Sequence, residues 1–195
     1  MNLTWLSCCR FTGTMPAMNT GMTVDLKKVG IIASYLSENT DNLYVTKLLK
    51  LLYYIDFCAY KLRGAAVTND TYYRLPYGPV PTVVKNEIDL LKSRILGKEI
   101  ESQLKKYIEL ASDTKGLGDL IVSKKKVNID KDLSENEALL VKQIAKKFKS
   151  TSASKLSEQT HEEKPWKLTP ANSPISYDLS KYLEIKDIIG TFKFN

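Results

Sequence analysis

The chain has one histidine, His161, and any chemistry that needs an imidazole as a base would depend on it. Glu162 and Glu163 follow it directly and offer carboxylates for proton exchange. No nucleophile can be paired with this histidine from spacing alone. A lone histidine just before the segment Lys164-Pro-Trp166 is more typical of a structural residue. We therefore favour a protein that is not an enzyme, and keep an enzyme that uses His161 with Glu162 or Glu163 as an alternative.

The sequence has no metal-binding or phosphate-binding pattern. Of the three cysteines, Cys8 and Cys9 are adjacent and Cys58 stands alone, which is not the spacing of a zinc site. The nine glycines are scattered and form no G-x-x-x-x-G-K motif. We expect no cofactor and no metal. Cys58 lies in an apolar run typical of a buried thiol, and the absence of a disulfide framework favours the cytoplasm.

Lysine clusters provide the alternative of nucleic-acid binding. The chain carries a formal net charge of +7, with clusters at 124–126 and at Lys146, Lys147 and Lys149. Such clusters can contact phosphates, and binding would then weaken steeply with salt. They are not interleaved with arginines or aromatic residues, a composition that favours a solvated face. We therefore do not expect a nucleic-acid partner.

Tyrosines are concentrated in one third of the chain. Tyrosine combines a large rigid contact area with a polar tip, which suits a protein interface, but it also completes hydrophobic cores. Both readings are open for the seven tyrosines of this region: Tyr44, Tyr53, Tyr54, Tyr60, Tyr72, Tyr73 and Tyr77.

The elements that must position these residues are mostly helical. The most marked pattern predicts a helix over 44–63, ended by Gly64. Its main apolar stripe includes Leu48, Leu51 and Leu52. A second stripe on another face carries Lys47, Lys50, Tyr54, Phe57 and Lys61. This helix should be central to the domain.

Other segments are assigned by the same signals of periodicity, caps and turn residues. Residues 71–75 are rich in β formers, and the prolines of 76–81 predict a rigid turn without regular structure. Residues 107–110 and 120–122 resemble a short hairpin, and Ser134 begins a capping box. Helices are predicted over 24–37, 81–97, 134–148, 153–159 and 179–189.

These elements predict a mainly α (α+β) fold, a single compact helical domain with a small antiparallel β hairpin or sheet. We interpret residues 1–21 as a disordered leader or a mis-assigned start. The domain then spans 22–195, with a core over 24–166 and a C-terminal helix over 179–189. Apolar runs are too short for a membrane span, so no membrane partner is expected.

Three stretches together resemble a known family, the Panacea domain of SocA-like antitoxins. The segment Lys47-Leu-Leu-Lys-Leu-Leu-Tyr-Tyr54 is similar to the family's lysine–leucine–tyrosine helix. The segment Tyr77-Gly-Pro-Val-Pro81 is similar to its glycine–proline–valine turn. The segment 156–166 resembles its closing motif, in which Thr, His, Pro and Trp recur. Order and spacing also match, over roughly 24–166.

The resemblance implies an antitoxin that neutralises a cognate protein toxin, encoded by the adjacent gene, through direct binding. A protease that receives the toxin is a further partner in some members, and phage or prophage association is implied. The residues expected to contact the partner are Lys47, Lys50, Tyr54, Tyr73 and Tyr77. The family-motif residues expected to be structural are Leu48, Leu51, Tyr53, Gly78, Pro79, Val80, Thr160, His161, Pro165 and Trp166.

Overall fold

A computed structural model describes residues 23–92, 101–113, 116 and 118–190, and the segment interpreted as a leader, 1–21, lies outside them. Within this part the protein is mainly helical with two small antiparallel sheets, which confirms the predicted fold class. No helix in the described residues is long and apolar enough to cross a membrane.

Helix α2 (Val45–Arg63) is the centre of the fold. Every residue from Lys47 to Ala59 is buried, so the helix is covered on all sides and not only along one stripe. It ends at Gly64, whose φ of +71° is the left-handed conformation that glycine adopts without strain. Helix α1 (Leu26–Asn39) precedes it and begins at Asp25, whose side chain accepts a hydrogen bond from the backbone N–H of Lys28 (3.0 Å).

Strands β1 (Tyr72–Leu75) and β2 (Gly78–Pro81) form an antiparallel hairpin. On the other edge of β1, residues 172–175 run alongside it. The backbone N–H of Arg74 donates to the carbonyl of Ser173, and that of Ile175 donates to the carbonyl of Tyr72. The hairpin is therefore held from its β1 side by a distant segment of the chain.

The expectation that residues 76–81 lack regular structure is wrong, because the prolines of β2 lie where they cost no ladder bond. Tyr73 pairs with Val80, so Pro79 and Pro81 lie in the pairs on either side. Hydrogen-bonded and non-bonded pairs alternate along antiparallel strands. A proline therefore fits at every second position of an edge strand, because the N–H group of another residue there would point away from the paired strand.

Helix α3 (Thr82–Lys92) follows β2 directly, and the remainder of the helix predicted to end near Gly97 lies outside the described residues. A short 3₁₀ turn (Gln103–Lys106) leads into the second hairpin, β3 (Ile108–Ser112) and β4 (Asp119–Ser123). This hairpin confirms the one predicted from the sequence.

Helix α5 (Glu135–Lys147) follows a single helical turn, α4 (Ile129–Asp132), and begins with the predicted capping box of Ser134 and Glu137. The Glu137 carboxylate also accepts from Lys28 Nζ (2.8 Å) and from Arg63 (2.9 Å), and so joins α5 to α1 and α2. Burial alone would raise the pKa of Glu137, but these hydrogen bonds outweigh it and lower the pKa to about 2.

The last third of the chain wraps around the end of α2. Helix α6 (Ala153–Glu162) is followed at once by α7 (Lys164–Leu168). The C-terminal helix predicted over 179–189 is two pieces in the structure, a 3₁₀ segment (Tyr177–Tyr182) and α8 (Ile185–Ile189). The backbone is extended at Leu183, between the two pieces. The apolar spacing over 179–189, which predicted one continuous helix, is therefore produced by two short helical segments.

Candidate functional site

Lys47, one of the residues expected to contact a partner, is buried, with 1% of its surface exposed. Its ammonium group donates to the carbonyls of Asp41 and Lys149, each at 2.8 Å. These carbonyls lie just beyond the C-terminal ends of α1 and α5, where the helix dipoles favour a positive charge. We call Asp41, Lys47 and Lys149 the Lys47 junction.

Lys50, also expected at a partner contact, lies one turn further along α2 and is likewise 1% exposed, so it lies inside the protein. Its ammonium group donates to the carbonyl of Pro79 in β2 (2.8 Å). Burial lowers the pKa of Lys50 to about 7, because this single carbonyl compensates little of the lost hydration.

Tyr54, the third of the residues expected to contact a partner, is 2% exposed. Its ring stacks on Phe148, with centroids 5.0 Å apart, and its hydroxyl donates to Glu163 (3.4 Å). Leu48, Leu51 and Tyr53 are fully buried in the same core. The stripe of α2 that looked amphipathic therefore faces other segments of the protein.

Three side chains donate hydrogen bonds to carbonyls at the tip of the β1–β2 hairpin, residues 75–79. The donors come from α2, α6 and α7, which are distant from the hairpin in sequence. Trp166 Nε1 donates to Leu75 (3.4 Å), Ser157 Oγ to Tyr77 (2.9 Å) and Lys50 Nζ to Pro79 (2.8 Å). We call these three side chains the hairpin clamp.

Gly78 is required at the tip for two reasons. Its φ is +98°, a conformation that side chains disfavour. A Cβ placed there would also lie 2.8 Å from Thr160 Oγ1 and 2.9 Å from Lys50 Nζ. The backbone of the tip thus lies directly against α2 and α6, which only the absence of a side chain allows.

The ring of His161 packs against Trp166 of the clamp, with ring centroids 4.5 Å apart. The guanidinium of Arg74 lies 4.1 Å from the centre of the indole, in cation–π geometry. Thr160 and Pro165 are buried beneath, while His161 and Trp166 are half-buried. Together with Gly78, Pro79 and Val80 of β2, these residues bring all three motif segments to one place.

His161 is incompletely bonded. Its Nε2 is buried and has no hydrogen-bond partner among the described residues. Burial and the charge of Lys50 lower the pKa of His161 from 6.5, against the opposing effect of Glu162. Neither neighbouring carboxylate orients the ring: Glu162 pairs with Lys167 (2.5 Å), and Glu163 accepts from Tyr54.

The two remaining tyrosines expected at a partner contact belong to this hairpin. Tyr77, at the tip, is 80% exposed, the largest exposed fraction among the exposed large hydrophobic side chains of the described residues. Tyr73 is half-buried on β1. The structure therefore places one of the five expected contact residues fully at the surface and one partly.

The lysine clusters lie at two separate places along α1. Lys124, at the end of β4, donates from its backbone N–H to the carbonyl of Tyr107, which also accepts from Ser34 in the middle of α1. The carbonyl of Lys149 accepts from the backbone N–H of Asp41, beyond the end of α1.

A surface groove of about 620 Å³ lies on another side, between the end of α2 and residues 174–178. The stacked rings of Tyr60 and Tyr177 form part of its wall, with centroids 5.1 Å apart. None of the residues expected to contact a partner lines it.

Sequence reasoning missed a buried carboxylate, Asp56, in the middle of α2. It is fully buried and accepts from the backbone N–H groups of Val67 and Thr68 (2.8 Å each) and from Tyr72 OH (2.7 Å). These bonds fix the loop that leads into β1. The available signal was that Asp56 is the only acidic residue of this helix and lies between apolar residues.

Ser157 of the clamp had no signal in the sequence, because its acceptor is a backbone carbonyl eighty residues away.

Residues 48–167, more than half of the chain, match the protein family described as "Antitoxin SocA-like, Panacea domain". No curated protein and no solved structure matches the chain.

Proposed function

The chain belongs to the SocA-like antitoxins with a Panacea domain, and from this premise we propose that it neutralises a cognate protein toxin by direct binding. The toxin is encoded by the adjacent gene, and the two proteins meet in the cytoplasm. Binding, rather than catalysis, is the activity. Neutralisation follows when the bound antitoxin covers the part of the toxin that acts in the cell.

The observation that carries the proposal is the hairpin tip, where all three motif segments meet and an aromatic side chain is presented to solvent. Tyr77 is 80% exposed, while the backbone on both sides of it is held by the clamp. An aromatic residue on an ordered backbone loses little conformational entropy on binding, which is typical of interface hot spots. We propose Tyr77 as the central contact and Tyr73 as its neighbour on β1.

The first test is co-expression with the adjacent gene, with growth and co-purification as readouts. We expect the neighbour to be toxic alone, and harmless in a stable complex with this protein. A neighbour that is harmless alone, or that does not bind, would contradict the proposal.

The second test locates the contact. Tyr77→Ala should weaken toxin binding by about thirty-fold, the loss expected for a hot-spot tyrosine of about 2 kcal/mol. Tyr182→Ala is the matched control, because Tyr182 is also exposed but lies in the C-terminal segment. Equal affinities of the two variants for the toxin would contradict a contact at the hairpin tip.

Delivery of the bound toxin to a protease is a second step of the proposal. Delivery predicts that the half-life of the toxin in cells shortens when the antitoxin is present. It also predicts that the Tyr77→Ala variant restores the longer half-life. A toxin that is inhibited but not degraded would limit the function to binding.

A further inference from the structure

The surface groove at the end of α2 has the dimensions of a binding site. It lies between the loop 64–71 and residues 174–178, and its volume is about 620 Å³. Ligand sites in proteins usually have volumes of about 300–1,000 Å³. Part of its wall is the stacked pair of Tyr60 and Tyr177, with ring centroids 5.1 Å apart. The groove therefore offers aromatic surface to a group of the size of one or two side chains.

The charged residues that line the groove are both acidic, although the chain carries a net charge of +7. Asp70 is buried, and its carboxylate accepts from the backbone N–H groups of Thr71 (2.7 Å) and Val84 (2.8 Å). Asp178 is exposed, and its carboxylate accepts from the hydroxyl of Tyr60 (3.3 Å). Asp178 forms no ion pair with any of the described residues. Its charge is therefore available to a partner.

The groove also lies at the C-terminal end of α2, because Gly64 is one of its lining residues. The last carbonyls of a helix have no intrahelical donor, and the helix dipole places partial negative charge there. Two basic side chains belong to this last turn, and neither lines the groove. Lys61 donates to the carbonyl of Lys181 (3.0 Å), while Arg63 pairs with Glu137 and binds the carbonyls of the two alanines after Gly64. The groove therefore favours a positive charge.

Cations already lie over other aromatic rings of this protein. The guanidinium of Arg74 lies 4.1 Å from the centre of the Trp166 ring, and Lys181 Nζ lies 5.0 Å from that of Tyr182. Among the described residues no cation lies over Tyr60 or Tyr177. A π surface beside a carboxylate is the combination that attracts a guanidinium or ammonium group.

We propose that this groove is a second contact for the toxin and receives an arginine or lysine side chain from it. The inference rests on the proposed function in identifying the partner as the toxin. The groove and the hairpin tip lie at opposite ends of β1, because Thr71 lines the groove and Tyr77 lies at the tip. An extended chain between these two residues spans about 20 Å. One partner surface of the usual size, about 800 Å², can cover both places.

The first measurement uses the free protein and a blocked Gly-Arg-Gly tripeptide as the probe. We expect the NMR amide resonances of Gly64, Asn69 and Ser176 to shift and to saturate at millimolar peptide. A blocked Gly-Glu-Gly tripeptide should leave them unchanged. Equal responses to both peptides, or no response to the arginine peptide, would overturn the proposal. Shifts that follow the concentration of the protein alone would indicate a second copy in the groove and would overturn it as well.

Asp178→Asn removes the charge and keeps an oxygen that can accept from Tyr60. We expect this variant to bind the arginine peptide and the toxin about tenfold more weakly. Asp187→Asn is the matched control, because Asp187 is also an exposed carboxylate of the C-terminal segment but does not line the groove. It should bind both as the wild type does. Equal toxin affinities for the two variants would show that the groove is not a contact.

Failure of the groove and failure of the proposed function give different results. A neighbouring gene product that does not bind contradicts the antitoxin function, while the tripeptide titration still decides whether the groove takes a basic side chain. A toxin that binds the wild type and Asp178→Asn equally contradicts the groove alone.

Discussion

Lys47 and Lys50 lie one turn apart on α2, and both are 1% exposed, but their surroundings differ. At the Lys47 junction the ammonium group has two carbonyl acceptors, each at the negative end of a helix. At the hairpin clamp, Lys50 has one strand carbonyl and faces the ring of His161. Burial lowers the pKa of both lysines, and it lowers that of Lys50, which has a single acceptor, to about 7.

The largest effect expected concerns the close packing of the clamp. Gly78→Ala should lower the free energy of unfolding by about 3–4 kcal/mol, because the new Cβ meets Thr160 and Lys50 on a backbone that disfavours side chains. Gly64→Ala is the matched control, with a φ of +71° but open space around it, and should cost about 1 kcal/mol. Urea unfolding measures both, and equal losses would show that the clamp is not closely packed.

The protein should lose more stability when the lysine of the Lys47 junction is replaced by a neutral residue than when the lysine of the clamp is. Lys47→Met takes the ammonium donor from two carbonyls, of which only that of Lys149 keeps another donor, the backbone N–H of Asp41, and we expect a loss of about 2 kcal/mol. Lys50→Met leaves one carbonyl but also removes a poorly compensated buried charge, so its loss should be about 1 kcal/mol. Chemical denaturation at pH 7 compares the two variants, and the reverse order would contradict the comparison.

The pH dependence of stability should come from Lys50. Its pKa is about 7 in the folded protein and 10.5 in the unfolded chain, so between these values the unfolded state binds more protons. The free energy of unfolding should therefore rise with pH from 7 to about 8.5, by about 1 kcal/mol per unit. Above that range Cys58 opposes the rise, because burial raises the pKa of its thiol in the folded protein. Denaturation at about pH 7, 7.5, 8 and 8.5 checks this slope, which should be largely lost in Lys50→Met and persist in Lys47→Met.

The smallest effect on stability is expected at Tyr77. Its side chain is 80% exposed, and Tyr77→Ala should change the free energy of unfolding by less than about 0.5 kcal/mol. A thermal melt is sufficient to measure it. A larger loss would mean that the ring supports the clamp rather than being presented by it.

Much of the fold follows from local signals in the sequence. Helix α2, its end at Gly64, the capping box at Ser134 and the β3–β4 hairpin all rest on residues close together in the chain. The β1–β2 hairpin was missed because prolines indicate broken structure unless the pairing register is known. That register depends on long-range contacts, including those with residues 172–175.

The sequence predicted which segments form the candidate site more accurately than it predicted the surroundings of the individual residues. The three motif segments do meet, but Lys47 and Lys50 were interpreted as surface residues because lysine on a helix usually lies in solvent. Their acceptors are backbone carbonyls, which every residue has and which no sequence pattern distinguishes. Only the fold shows that the carbonyls of Asp41, Lys149 and Pro79 lie within reach.

The two prolines of β2 have a consequence for the protein before it meets a partner. They occupy the positions whose backbone groups point away from β1, on the side where the carbonyl of Pro79 accepts from Lys50 of α2. Any other residue at these positions would have an N–H group without a strand partner, whereas proline has none. The outer edge of β2 is thus mostly buried and offers no N–H donor there to a strand from another molecule, so the exposed aromatic tip does not invite edge-to-edge aggregation.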